Sequence, residues 1–370
     1  MADLRGEAED RFARVEETLA ASIDRGEDLG ASVAVIIEGE TVIDIAGGYQ
    51  DKAKTLPYEP RTLTCVFSSG KAVCAALIAA AVSEGKLAYD EPVATYWPDF
   101  AAKGKEKITV AQALSHQAGL AAFTEEKDPA IWVDWEATCA ALAEMAPLWE
   151  PGTASGYGPQ TYGFIAGELL RRVNGQTVGQ QLKGLTRDVI CGMGLSEATR
   201  AAPLVKPKRA PDLGEIDEIT KAAFLLPWSA PSGISRQTWA AAEIPASNMH
   251  ACAHGLAEIM QLFAAGRMGD KLAVSDSVRE EAWQERISGP DKVLPFHLSW
   301  AAGVMRETYD GRIFGAPPTA IGHYGFGGSC VLADPARGLS FAYVPNQQSH
   351  HLVADPRATA LLRAVYQALS

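Results

Sequence analysis

Ser68 and Lys71 stand three residues apart in the run Phe67-Ser68-Ser69-Gly70-Lys71. The stretch that follows, residues 72–82, is apolar on every side, which predicts a helix buried in the middle of a domain. On such a helix a serine at the N-terminus and a lysine three residues on share one face. A hydroxyl is a poor nucleophile until a neighbour removes its proton. First-turn N–H groups and the helix dipole favour the negative charge that develops during attack. Lysine can be that neighbour only when neutral. Its ordinary pKa is about 10.4, and holding it neutral near pH 7 costs about 4 kcal/mol, a cost that burial beside a positive helix end imposes. The four-residue pattern is weak alone. It recurs at Ser83 and Lys86, at the other end of the same predicted helix beside Gly85. There the dipole has the wrong sign for an oxyanion, and a solvated C-terminus is expected.

Two further segments offer partners. Residues 151–156, Pro-Gly-Thr-Ala-Ser-Gly, lead into Tyr157 just ahead of a helix predicted over 161–173. A tyrosine presented from a loop at a helix start can relay a proton, although a lone tyrosine is more often a packing residue. Gly322-His323-Tyr324-Gly325-Phe326-Gly327-Gly328-Ser329 runs directly into a predicted strand. A glycine-rich strand edge lets backbone N–H groups approach a substrate, or else marks a bulge with no ligand.

The elements that must position these residues fall into two kinds. An amphipathic helix is predicted at the start, with Phe12, Val15 and Leu19 at helical spacing. Residues 31–49 read as a hairpin about Glu38-Gly39, and residues 329–344 as a second hairpin turning at Pro335 to Gly338. Residues 298–305 are expected to add one more strand, and Asp355 to cap a last helix with Pro356 as its first residue. Between about 68 and 265 the pattern is mostly helical. The expected fold is α+β: an antiparallel sheet assembled from residues 1–67 plus about 266–370, carrying a mostly helical region over about 68–265, with the active site at the junction.

Composition narrows the partners. Of 370 residues, 47% are hydrophobic and 21% charged, and 33 basic against 45 acidic side chains leave a formal net charge of −12. That sign argues against nucleic acid and anionic membranes, and no basic patch offsets it. Lys103, Lys105 and Lys107, with Glu106 among them, read as a solvated loop. No apolar run is long enough to span a bilayer and no secretory signal is evident, so a cytoplasmic location is expected. Six scattered cysteines without a Cys-x-x-Cys pair read as reduced core residues. His250 and His254 lie four apart on a predicted helix with no evident third ligand, so neither metal nor cofactor is expected. His116 reads as a loop-bonding residue beneath the cleft, His350-His351 as exposed, and Phe123, Trp132 and Trp135 equally as cleft wall or core. A Gly-x-Ser-x-Gly elbow and a Walker sequence are both missing.

Taken jointly, the three segments and their order resemble the serine β-lactamase and penicillin-binding-protein superfamily. The likeness is greatest to class C-like enzymes and, within them, to family VIII carboxylesterases. It extends through Gly85-Lys86-Leu87, Asp90-Glu91-Pro92, Tyr96-Trp97-Pro98, Ile108-Thr109-Val110, residues 114–120 and 245–256, and the closing hairpin with Asp334-Pro335. The resemblance implies the β-lactamase/transpeptidase-like fold. It matches Ser68 and Lys71 to the nucleophile and general base, and Tyr157 to the tyrosine of a Tyr-x-Asn element. His323-Tyr324-Gly325 falls where β-lactamases have Lys-Thr-Gly, which puts the second oxyanion N–H, beside that of Ser68, on Phe326. Two departures stand out: Pro159 replaces the asparagine and His323 the lysine. β-Lactamases use both lost groups on the drug, so the expectation is a serine carboxylesterase for small, neutral, short-chain esters. The alternatives are an amide hydrolase (β-lactamase or peptidase) or transacylase on the same site, and a binding protein that kept the fold.

Overall fold

The structure is a computed structural model that describes residues 2–308 and 312–370. Its first elements are an edge strand, β1 (Leu4–Ala8), a helix, α1 (Ala13–Asp24), and the strands β2 (Gly30–Ile37) and β3 (Glu40–Gly48). Glu38 and Gly39, between those strands, both take positive φ (50° and 86°), the backbone a two-residue hairpin turn requires. The buried helix follows as α2 (Ser69–Ser83), then α3 (Trp135–Glu144), α4 (Thr161–Asn174) and α5 (Ala253–Ala264). The remaining strands of the main sheet are β4 (Ile287–Pro290), β5 (His297–Trp300), β6 (Met305–Arg306), β7 (Ile321–Tyr324), β8 (Cys330–Asp334) and β9 (Leu339–Pro345), before a last helix, α6 (Pro356–Ala368).

One nine-stranded antiparallel sheet runs in the order β1-β3-β2-β9-β8-β7-β6-β5-β4. Its centre joins β2 to β9, with Val35 opposite Phe341 and Ala34 opposite Ala342. Both faces of these strands are buried, so they read as continuous apolar runs rather than as alternations. The period of two survives in residue size. Ala34, Ala333 and Ala342 face the helical side, where their small side chains let α5 lie close on the sheet. Val33, Val35, Phe341 and Tyr343 face the other way, into a core with Phe12, Val15, Leu361 and Val365 of the outer helices. Helix α2 sits between α4 and α5 and touches β7, which brings its N-terminus to the sheet.

The sequence expectation needs correction in several places. Phe12, Val15 and Leu19 are buried as the helical spacing requires, but the residues ahead of them pair as β1 and the helix starts only at Ala13. Residues 298–305 form two paired strands, not one. Gly303, at φ 91°, lets the chain turn between Trp300 and Met305, which face each other across β5 and β6. His250 lies in a short strand with Ala251 rather than on the helix that holds His254. His350 and His351 are half-buried, their rings 4.3 Å apart. Lys105 is fully buried, not solvated. By contrast the cap at Asp355 forms as expected, its side chain accepting from the Arg357 N–H, and all six cysteines are buried free thiols. No helix among the described residues is long and apolar enough to cross a membrane.

Candidate active site

A tight turn presents Ser68. Val66 is held by its N–H to the Met249 carbonyl, and Phe67 then takes φ 45°, rare for a side chain with a Cβ and worth about 1–3 kcal/mol of strain. Ser68 immediately precedes α2, whose first turn closes with Lys71 N–H on the Ser68 carbonyl. Lys71 is fully buried. Its Nζ lies 3.0 Å from Ser68 Oγ, 2.9 Å from the Pro159 carbonyl oxygen and 3.3 Å from that of Ala246. Burial drives the amine pKa well below its ordinary value. The partners are compatible with that neutral form. A neutral amine has two N–H bonds for two carbonyls, and one lone pair for one hydroxyl.

Tyr157 completes the cluster, its hydroxyl donating to Ser68 Oγ at 2.5 Å. Burial raises its pKa, so the phenol keeps its proton. Lys71 Nζ also sits 4.6 Å from the centre of the Tyr157 ring. The tyrosine loop is pinned at consecutive amides: Tyr157 N–H donates to Asp291 Oδ1 at 2.9 Å, and Gly158 N–H to His116 Nδ1 at 3.2 Å. His116 therefore does bond a loop beneath the cleft. Pro159, which brings no side-chain amide, contributes its carbonyl to Lys71 instead.

The third segment approaches from β7. His323 is fully buried, and its Nδ1 is 2.7 Å from the Tyr324 carbonyl oxygen. Burial, reinforced by nearby Lys71, takes its pKa to about 3, so the ring is uncharged at neutral pH. Gly325 is there because nothing larger fits. A Cβ at this position would lie 2.0 Å from the Val66 carbonyl oxygen and 2.3 Å from Ser329 Oγ. Ser329 in turn donates to the same Val66 carbonyl and meets Ser69 Oγ, which ties the glycine-rich edge to the start of α2. Among the described residues, neither the Ser68 nor the Phe326 N–H has an intramolecular acceptor. The rings of Phe67 and Phe326 meet edge to face at 5.8 Å.

Ser68, Tyr157, His323 and Phe326 all border one cavity of about 370 Å³. Its walls are chiefly apolar, with Leu213, Phe224, Leu225, Leu294, Met305 and Leu352, and no Lys, Arg, Asp or Glu among the described residues lines it. Phe123 and Trp132 lie in the core of the helical region and Trp135 packs against Phe164 of α4, so none of the three is cleft wall. The second Ser-x-x-Lys pair behaves as a solvated helix end, with Lys86 on Glu84 and Asn174. His254 faces Asp44 and Glu258 instead of His250, and no group of three or more potential metal ligands occurs among the described residues.

Sequence reasoning missed Asp291, the carbonyls of Pro159 and Ala246, and the cavity wall formed by residues 210–230. Backbone carbonyls leave no trace in residue type. The wall residues are ordinary apolar side chains whose role appears only when the chain crosses the cleft.

Known proteins bear the same arrangement of chain. The β-lactamase family model matches residues 14–365. A solved penicillin-binding-protein homologue from Caulobacter crescentus is 47% identical with a TM-score of 0.94, covering 99% of this chain and 100% of that one. A solved family VIII carboxylesterase is 32% identical with a TM-score of 0.91, over 99% and 100% of the two chains. The esterase/β-lactamase LipL of Mycobacterium tuberculosis is 28% identical, over 95% of this chain and 85% of its own length.

Proposed function

This chain belongs to the β-lactamase family, and from that premise we propose that it is a serine carboxylesterase acting on small neutral esters. The observation that carries the reading is the Ser68–Lys71–Tyr157 cluster opening on a cavity that no charged side chain among the described residues lines. Ser68 donates its proton to neutral Lys71 as Oγ attacks the ester carbonyl. The Ser68 and Phe326 N–H groups receive the oxyanion. As the tetrahedral intermediate collapses, the C–O bond to the alcohol breaks. Tyr157 passes the leaving oxygen a proton, replaced from the Lys71 ammonium by way of the phenol. Water then attacks the acyl-enzyme, gives a proton back through the same pair, and releases the acid with Ser68 restored.

Neutral walls favour an ester over a β-lactam, whose carboxylate needs a cation. Neutral His323 stands where a lysine would provide one, and Pro159 brings no side-chain amide. The name of the family VIII carboxylesterase structure supports the same choice, whereas the name of LipL carries both activities. The test is a series of p-nitrophenyl esters beside nitrocefin. The ester should be turned over far faster, and Ser68→Ala should lower kcat by about 10³-fold or more. Wild-type turnover by Ser68→Ala would remove the nucleophile assignment, and faster nitrocefin turnover would return the substrate to the lactam class.

A further inference from the structure

The loop between β4 and β5 carries one carboxylate with four hydrogen bonds and, among the described residues, no cation partner. Asp291 Oδ1 accepts the N–H groups of Tyr157 at 2.9 Å, Val293 at 3.0 Å and Leu294 at 3.0 Å, and Oδ2 accepts the Ser155 hydroxyl at 2.8 Å. Lys292 N–H adds a bond from the same loop to the Ser155 carbonyl at 2.9 Å. Two of these partners belong to the segment that presents Tyr157, and one to Leu294 of the cavity wall. The Tyr157 amide itself is thus tied to the sheet edge through the Asp291 side chain.

We propose that Asp291 is a positioning residue, which holds the Tyr157 phenol on Ser68 and fixes Leu294 in the wall beside it. The inference rests on the role given to Tyr157 above. A phenol meets Ser68 at 2.5 Å only if the backbone at the far end of its ring is fixed. Removing the side chain that accepts the Tyr157 amide leaves this segment to its neighbouring bonds, among them Gly158 to His116 and Lys292 to Ser155, and a displacement of about 1 Å costs up to ~100-fold in rate. The carboxylate acts by place rather than by charge, because its bonds are to neutral N–H and O–H groups. An amide oxygen at the same position accepts the same three N–H bonds.

The test measures kcat and KM of the full chain on a short-chain p-nitrophenyl ester, with folding followed by near-UV circular dichroism. Asp291→Ala should lower kcat about 10- to 100-fold while KM stays within about threefold. Asp291→Asn should recover most of that loss. Asp291→Glu keeps the charge but moves the acceptor by one methylene, and should lose rate like Asp291→Ala, which keeps the question open to test if the alanine variant does not fold. In a Tyr157→Phe background, Asp291→Ala should cost no more than about threefold further, because the phenol it positions is gone. Losses that multiply in that background, or Asp291→Glu at wild-type kcat, would overturn the assignment. Wild-type kcat in Tyr157→Phe alone would instead remove Tyr157 from the mechanism, a separate failure visible in its own measurement.

Discussion

Lys71 and Lys105 are both fully buried, and they differ in every respect that decides what a buried amine does. Lys71 stands in the first turn of α2, at the positive end of a helix dipole, with two carbonyls and one hydroxyl around Nζ. Lys105 reaches the opposite pole. Its Nζ donates to the carbonyls of Ala102 at 2.6 Å, Ala143 at 2.8 Å and Met145 at 2.6 Å, the last two at the C-terminal end of α3. Three carbonyls match the three N–H bonds of an ammonium, and a helix C-terminus favours its charge. Burial lowers the pKa of Lys105 too, opposed by nearby Glu144, but for Lys71 the drop is large. The two sites show that burial alone does not make a base. Partner type, a hydroxyl in place of a third carbonyl, and dipole sign separate a lysine that can take a proton from one that fastens a turn.

The largest effect should come from Lys71→Ala. Turnover should fall by about 10³-fold, with kcat carrying most of the loss, because a general base contributes 10²–10⁴-fold. Comparable activity in that variant would erase the distinction between the two lysines. Next is pH. Lys71 is a base only when unprotonated, so kcat/KM should drop as pH falls through its pKa, by about tenfold per pH step of one below that point. The limb should lie well below the ordinary lysine value, since burial depresses the group. His323, already neutral above about pH 3, should leave the position of the limb unmoved in His323→Asn, whatever happens to the rate. A limb that moves with His323 would hand the titration to the wrong residue. Lys105→Met should leave kcat within about twofold and lower stability in urea by about 2–4 kcal/mol, because three carbonyls, that of Ala143 buried and two part-buried, lose their donor. The smallest effect belongs to Pro159→Ala, which keeps the carbonyl on Lys71. It should lose about 0.4–1 kcal/mol of stability through a freer unfolded chain and change kcat less than about threefold.

Local chemistry was legible in the sequence. The Ser68–Lys71 spacing survives because a helix fixes i and i+3 whatever surrounds it, and the cap at Asp355 follows from the same short-range geometry. Tyr157 and Gly325 were found through their flanking glycines and the joint resemblance, and the structure brings both to the turn that carries Ser68. Lys105 was misread because its partners at Ala143 and Met145 are about forty residues away, invisible to a window that sees only Lys103, Glu106 and Lys107. Asp291 escaped for a like reason, since its bond to Tyr157 spans 134 residues. Residues 298–305 have the composition of one long strand, and the turn at Gly303 shows only once Trp300 and Met305 are paired.

At the middle of the sheet, Gly30 hydrogen-bonds to the side chain of Asn346, 316 positions along the chain. β9 can therefore take its place beside β2 only through a pairing of high sequence separation, which costs chain entropy before its contacts repay it. The first turn of α2 sets serine and lysine side by side, but the burial that lowers the amine pKa comes with segments distant in the chain, Pro159 and Ala246 among them. Reactivity is thus a property of the assembled fold, not of the four-residue pattern that marks it.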